Sequence, residues 1–171
     1  ISTIVRKAGI QAGLAEKVGD VPSPKAKRSL PLVLSKAEVK RLLNAASNLK
    51  AKPLFTVIYS AGLRIGEALS LKVNDVLSDR GQIRVREGKG KKDRYTILSQ
   101  KALALLRKYY EVYQPHEWLF AGREPGTHLS PSSARRFFRE ARDEADINPG
   151  APPHTLRHSF APHTLAERAD L

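Results

Sequence analysis

Cysteine is absent from the 171-residue chain. That excludes disulfides and thiolate-bound metal, and it fits a reducing compartment such as the cytoplasm. No apolar run is long enough for a membrane span, and the N-terminus lacks a signal-like pattern. Acidic residues are scarce, with 17 Asp and Glu against 30 Lys and Arg, which leaves a formal net charge of +13. Such a surplus favours a polyanionic partner, because lysine and arginine on phosphates release counterions. An anionic membrane is the rival partner, weakened by the missing apolar run. No cluster of carboxylates is evident for a two-metal site. What is present is a 41% hydrophobic content, enough for a globular core.

The chain changes character near residue 30. Residues 1–30 carry scattered apolar positions broken by Gly9, Gly13 and Gly19, then a basic, proline-containing run, "VPSPKAKRS", that reads as a linker. The main domain is expected to occupy 31–171. Ser35 and Glu38 have capping-box spacing, and Val39, Leu42, Leu43, Ala46 and Leu49 follow at helical intervals, which predicts a helix over 36–49. Pro53 suits a first helical turn, "LFTVIYSA" extends that helix, and Gly62 is a natural stop. A short helix over 64–70 comes next. "QIRVRE" and "RYTIL" read as two strands around the turn "GKGKKD", a β-hairpin over about residues 82–98. Helices are expected over 100–113, over about 131–147 with a stripe of Phe137, Phe138, Ala141 and Ala145, and from His154 onward. The fold class is α+β, mostly α-helical, with one small antiparallel sheet.

Three constellations could carry chemistry. Arg64 follows a helix stop and begins the next helix, where free backbone N–H groups also favour an anion. Glu67 lies one turn on, so the pair is either an anion site or a surface ion pair worth under about 1 kcal/mol. The hairpin from Arg84 to Arg94 holds six basic residues (Arg84, Arg86, Lys89, Lys91, Lys92, Arg94) and two acidic ones, Glu87 and Asp93. Either Lys89 on its tip reaches into a DNA groove or delivers a proton, or the tip is a solvated turn whose lysines blunt a strand edge. It is not a P-loop, since the spacing differs and no helix follows. Finally, "HTLRHS" places His154, Arg157 and His158 on neighbouring positions of one helix. Metal binding by the two histidines would need a third ligand and usually a glutamate where Thr155 stands. A buried, hydrogen-bonded histidine is the ordinary alternative.

In this order, "YSAGLRIGEALSL", "GKGKKDRYTIL" and "PHTLRHSFA" resemble the catalytic domain of the tyrosine recombinases, or phage-integrase family, most closely its Xer-like bacterial members. The resemblance runs from about residue 30 to 171. It implies site-specific DNA recombination by metal-free transesterification through a 3′-phosphotyrosyl intermediate, with no cofactor. It implies that Arg64 and Arg157 clamp the scissile phosphate, Glu67 supports them, and Lys89 protonates the 5′-oxygen leaving group. His154 would hydrogen-bond the phosphate and aid proton transfer, while His158 would be structural. Arg84, Arg86, Lys91, Lys92 and Arg94 are expected on DNA. The implied partners are double-stranded DNA and further recombinase subunits, a tetrameric synapse in the family, acting in the cytoplasm at the nucleoid.

The chain also departs from the family pattern. Members continue to an "LGH"-type motif and a nucleophilic tyrosine. Here Tyr59, Tyr95, Tyr109, Tyr110 and Tyr113 all precede His154. The chain is therefore expected to be truncated before the nucleophile and inactive alone, with residues 1–30 as a remnant of an N-terminal clamp. Pro162 stands where a helix-compatible residue is usual, and Arg168 where a helix-ending glycine is common. Pro162 would remove a backbone bond to the His158 carbonyl and kink or end the last helix. Two other functions remain open: a non-catalytic module that binds DNA or recombinase subunits, and a metal-free ribonuclease using His154 and Lys89.

Overall fold

The computed structural model describes residues 32–86 and 92–169, with side chains up to residue 165. The boundary expected near residue 30 and the hairpin tip, with Lys89 and Lys91, lie outside the described residues.

Helix α1, Lys36–Ala45, starts as the sequence predicts. Ser35 and Glu38 form the reciprocal capping box, with the Ser35 N–H donating to Glu38 Oε2 at 2.7 Å. The helix ends four residues earlier than expected. Asn48 Oδ1 accepts from the Lys50 N–H at 2.8 Å, a local side-chain bond that competes with continued helix. Leu49, expected on the apolar stripe, is consequently exposed.

Helix α2, Ala51–Ala61, is the centre of the domain. Its Leu54, Phe55, Val57 and Ile58 are all buried. A helix apolar all round must be enclosed by others, and α2 packs against α1 and the later helices α4 (Gln100–Tyr113), α5 (Pro131–Glu144) and α6 (His154–Ala169). Phe55 meets Phe138 of α5 edge-on, with ring centroids 5.6 Å apart. Gly62 stops α2 in the left-handed region at φ 62°, and the five-residue α3, Ile65–Leu69, follows with Arg64 as its N-cap.

The sheet has one more strand than the sequence predicts. Val76–Leu77 (β1) pairs antiparallel with Gln82–Val85 (β2), which pairs antiparallel with Arg94–Ile97 (β3). Two residues are too few to show the alternation by which strands are recognised. Helices α4 and α5 are capped by Ser99 and Ser130.

Pro162 does not end α6, which continues to Ala169. Two hydroxyls bond back to carbonyls four residues earlier on either side of the proline, Ser159 to Thr155 at 2.8 Å and Thr164 to Phe160 at 2.9 Å. Beyond it, the Tyr59 hydroxyl and His163 Nδ1 share a 2.8 Å hydrogen bond, which holds α6 on α2. On the other flank the Leu34 N–H donates to Ser159 Oγ at 2.9 Å in a buried contact. These side-chain anchors offset the backbone bond that proline cannot make.

Candidate functional site

The stop at Gly62 and the start of α6 come together across 95 residues of chain. Arg157, on the first turn of α6, donates through Nη1 to the Gly62 carbonyl. Arg64, two residues after Gly62, donates to Glu67 twice: its backbone N–H to Oε2 at 2.7 Å and its Nη1 to Oε1 at 3.0 Å. Arg157 Nη1 lies 3.7 Å from the same Glu67 Oε2. The expected clamp pair, Arg64 and Arg157, therefore shares one carboxylate. Only 13% of the Glu67 side chain is exposed, against 52% for Arg64. The carboxylate is the largely covered pivot, and the guanidinium of Arg64 faces outward.

Glu67 has a third partner that the sequence reading placed on DNA. Arg94, at the start of β3, donates through Nη2 to Glu67 Oε2 at 2.8 Å. Burial alone would raise the Glu67 pKa, but the Arg64 N–H and the Arg94 guanidinium outweigh it and hold the carboxyl below its usual range. Glu67 is thus ionised at neutral pH. Arg157 is pulled the other way. Burial lowers its pKa, and the neighbouring cation Arg64 adds to this, while Glu67 partly compensates. An incoming anion would relieve that strain on the cation.

A second carboxylate, this one fully buried, was missed by the sequence reading. Asp75, with 1% of its side chain exposed, accepts from Arg84 Nε at 2.9 Å, from Arg86 Nε at 2.8 Å and from the Lys72 N–H at 3.0 Å. Arg84 and Arg86, expected on DNA, are tied by their Nε atoms to the base of the sheet. A signal for this was available: the two arginines are two apart, hence on one face of a strand, and Lys72 and Asp75 have capping-box spacing. A groove beside Glu67 is lined by Ser70, Lys72, Arg86, Asp93 and Trp118, so it runs from the arginine cluster toward the Asp75 cluster. Lys72 sits over the Trp118 ring and pairs with Glu117 at 2.9 Å.

His154 is the first residue of α6 and is exposed, one helical turn before Arg157. His158 is exposed as well, so the structural role expected for it is not a buried one. Lys92 is exposed. No group of three or more potential metal-ligating side chains gathers among the described residues, and no described helix is long and apolar enough to cross a membrane.

A family model, the phage integrase family, matches residues 33–171. The chain belongs to this family. A putative integrase/recombinase of Sinorhizobium fredii is 41% identical over 151 residues, covering 88% of this chain and 49% of the relative. Tyrosine recombinase XerA of Pyrococcus horikoshii is 33% identical over 162 residues, covering 93% of this chain and 56% of the relative. The chain spans about half the length of the curated relatives it matches. Among solved structures, XerA recombinase superposes with a TM-score of 0.72 at 30% identity, covering 81% of this chain and 52% of that one. The site-specific recombinase XerH, bound to its difH substrate in a pre-cleavage complex, gives 0.69 at 26%, covering 82% of this chain and 44% of that one. The mostly helical architecture with its small antiparallel sheet is thus that of phage-integrase-family recombinases, as the three sequence motifs imply.

Proposed function

We propose that residues 33–171 form the phosphate-clamping part of a site-specific DNA recombination site working by metal-free transesterification. The observation that carries this reading is the convergence of Arg64 and Arg157, from elements far apart in the chain, on the one largely covered carboxylate of Glu67. Attack on a phosphodiester builds charge on the non-bridging oxygens, and preorganised guanidinium forks stabilise it. His154 and Lys89 move the protons, His154 at the attacking oxygen or phosphate and Lys89 at the 5′-oxygen. The partner is double-stranded DNA, with further recombinase subunits assembled on it. The setting is the nucleoid. None of the five tyrosines follows the His154–Arg157 motif, and none is assigned as the nucleophile.

Half of the reaction can be tested without a nucleophilic tyrosine. A nicked duplex carrying a 3′-phosphate esterified to p-nitrophenol mimics the phosphotyrosyl link. The abutting 5′-hydroxyl attacks phosphorus, the new P–O bond forms, the aryl P–O bond breaks and p-nitrophenolate leaves, while the hydroxyl proton passes to a base. A pool of random flanking sequences removes the need to know the target. The chain should accelerate release, and Arg64→Ala or Arg157→Ala should each cut the rate by about a hundredfold, as removal of one oxyanion donor does. Tight DNA binding with no release would refute the catalytic reading and leave a non-catalytic DNA-binding module.

The charge of the hairpin sets a second expectation. Replacing Lys91 and Lys92 by glutamine should flatten the plot of log affinity against log salt by about 2, roughly 0.9 per lost phosphate contact. Titration by fluorescence anisotropy from low to moderate salt measures it. An unchanged slope removes these lysines from the DNA interface.

A further inference from the structure

Arg94 is the one member of the Glu67 cluster to which the clamp as described gives no task. Its position is informative. Glu67 Oε2 accepts from the Arg64 N–H at 2.7 Å and from Arg94 Nη2 at 2.8 Å, whereas Arg157 Nη1 stands off at 3.7 Å. A carboxylate oxygen offers about two lone-pair sites. With Arg64 and Arg94 on it, Oε2 is full. Arg157 stands outside hydrogen-bond range of that oxygen, with its Nη1 on the Gly62 carbonyl.

We infer that Arg94 is a positioning residue: by occupying Glu67 Oε2 it prevents Arg157 from collapsing onto the carboxylate and keeps that guanidinium available for a phosphate. This rests on the clamp reading above and deepens it. The charge balance points the same way. Three arginines around one glutamate leave a surplus of two positive charges. A phosphodiester carries one negative charge, and the pentacoordinate state formed on attack carries two. Without Arg94 the surplus would fall to one, and the extra negative charge that develops on attack would be stabilised less. The arginine also starts β3, so it ties the hairpin to the clamp. The rival is the sequence expectation, in which Arg94 is a plain DNA contact.

The two differ in how Arg94 couples to Glu67. Side-chain nitrogen NMR on the DNA-free, full 171-residue chain reads Arg157 directly, its signal assigned by loss in Arg157→Lys. In Arg94→Ala, Arg157 N–H exchange with water should slow severalfold as it pairs with Glu67. The same change made in a Glu67→Gln background should leave Arg157 exchange unaltered. Arg94→Lys, which restores one donor at Oε2, should recover most of the original behaviour. Unchanged backbone spectra of α2 show that the variants are folded. If Arg157 does not respond to Arg94→Ala, or responds equally in both backgrounds, the inference is wrong.

A DNA arm separates this from the function itself. On a duplex of arbitrary sequence, Arg94→Ala should weaken binding about tenfold when Glu67 is present, the loss of one charge-assisted contact. It should have little effect in Glu67→Gln. An equal loss in both backgrounds identifies Arg94 as a direct DNA contact and overturns the inference. If Arg64→Ala and Arg157→Ala also bind like the parent, the clamp reading falls, while the exchange measurement still decides what Arg94 does to Arg157.

Discussion

Gly62→Ala is expected to lower the unfolding free energy by roughly 3–4 kcal/mol, and to weaken DNA binding in whatever remains folded. Two penalties add. Gly62 has φ 62°, a left-handed conformation that costs a residue with a Cβ about 1–2 kcal/mol. The added Cβ would also sit 2.5 and 2.8 Å from two atoms of the Phe160 ring, distances that force movement. Overpacking of this kind costs about 1–3 kcal/mol. The ring cannot shift without consequence, because it belongs to α6 between Arg157 and the Tyr59–His163 hydrogen bond. Displacing α6 separates Arg157 from the Gly62 carbonyl. Urea unfolding measures the first effect. The double variant Gly62→Ala with Phe160→Ala isolates its causes, since removing the ring should cancel the packing part of the alanine's penalty and leave the backbone part. A total cost below about 1 kcal/mol would show that the turn tolerates a side chain.

Asp75→Ala is expected to cost about 3 kcal/mol, at the lower end for breaking a buried ion pair. The lower end applies because Arg84 and Arg86 keep 30% and 43% of their side chains exposed and can turn toward water. What cannot turn away is the Lys72 N–H, bonded to Asp75 Oδ2 at 3.0 Å. The substitution has an unusual signature. It removes a negative charge from a chain whose formal net charge is +13 and frees two arginines, so affinity for non-specific DNA should rise while stability falls. Thermal unfolding and DNA titration on the same sample read both. Asp75→Asn, which keeps the shape and one acceptor, should lose less stability. If Asp75→Ala weakens DNA binding in still-folded protein, the two arginines need Asp75 to present them to the phosphates.

The elements that announced themselves in the sequence were those whose signals are local. The capping box at Ser35 and the glycine stop at Gly62 each lie within a few residues of what they control. They placed the start of α1 and the end of α2. The end of α1 was misplaced because the apolar stripe continues to Leu49 while Asn48 turns the backbone. β1 was invisible because two residues have no period. Of the site, Arg64 and Glu67 were readable as a helical pair, and His154 and Arg157 as neighbours on one helix. The family resemblance joined these across the chain, and the structure brings Arg64, Glu67 and Arg157 together. Arg94 and Asp75 were not legible in the same way. Arg94 lies in a run of cations, where one that turns inward looks like its neighbours. Asp75 looks like an ordinary acidic residue before a strand until Arg84 and Arg86 are seen to share it.

Helix α6 closes the domain from the far end of the chain. Its Ser159 receives the Leu34 N–H from 125 residues away, and Arg157 reaches Gly62 across 95. Contacts so distant in sequence are slow to form, because the intervening chain must lose its loop entropy before they contribute. During synthesis the helices around α2 can gather before residues 154–169 exist, so the arginine cluster is completed last. The same order holds for opening in the folded protein. A fluctuation that lifts α6 takes Arg157 from Glu67 and uncovers the Leu34 amide in one event, while the α1, α4 and α5 contacts to α2 persist. In the proposed clamp, phosphate binding and the docking of α6 share one equilibrium, and a DNA phosphate seated between Arg64 and Arg157 would itself hold α6 in place.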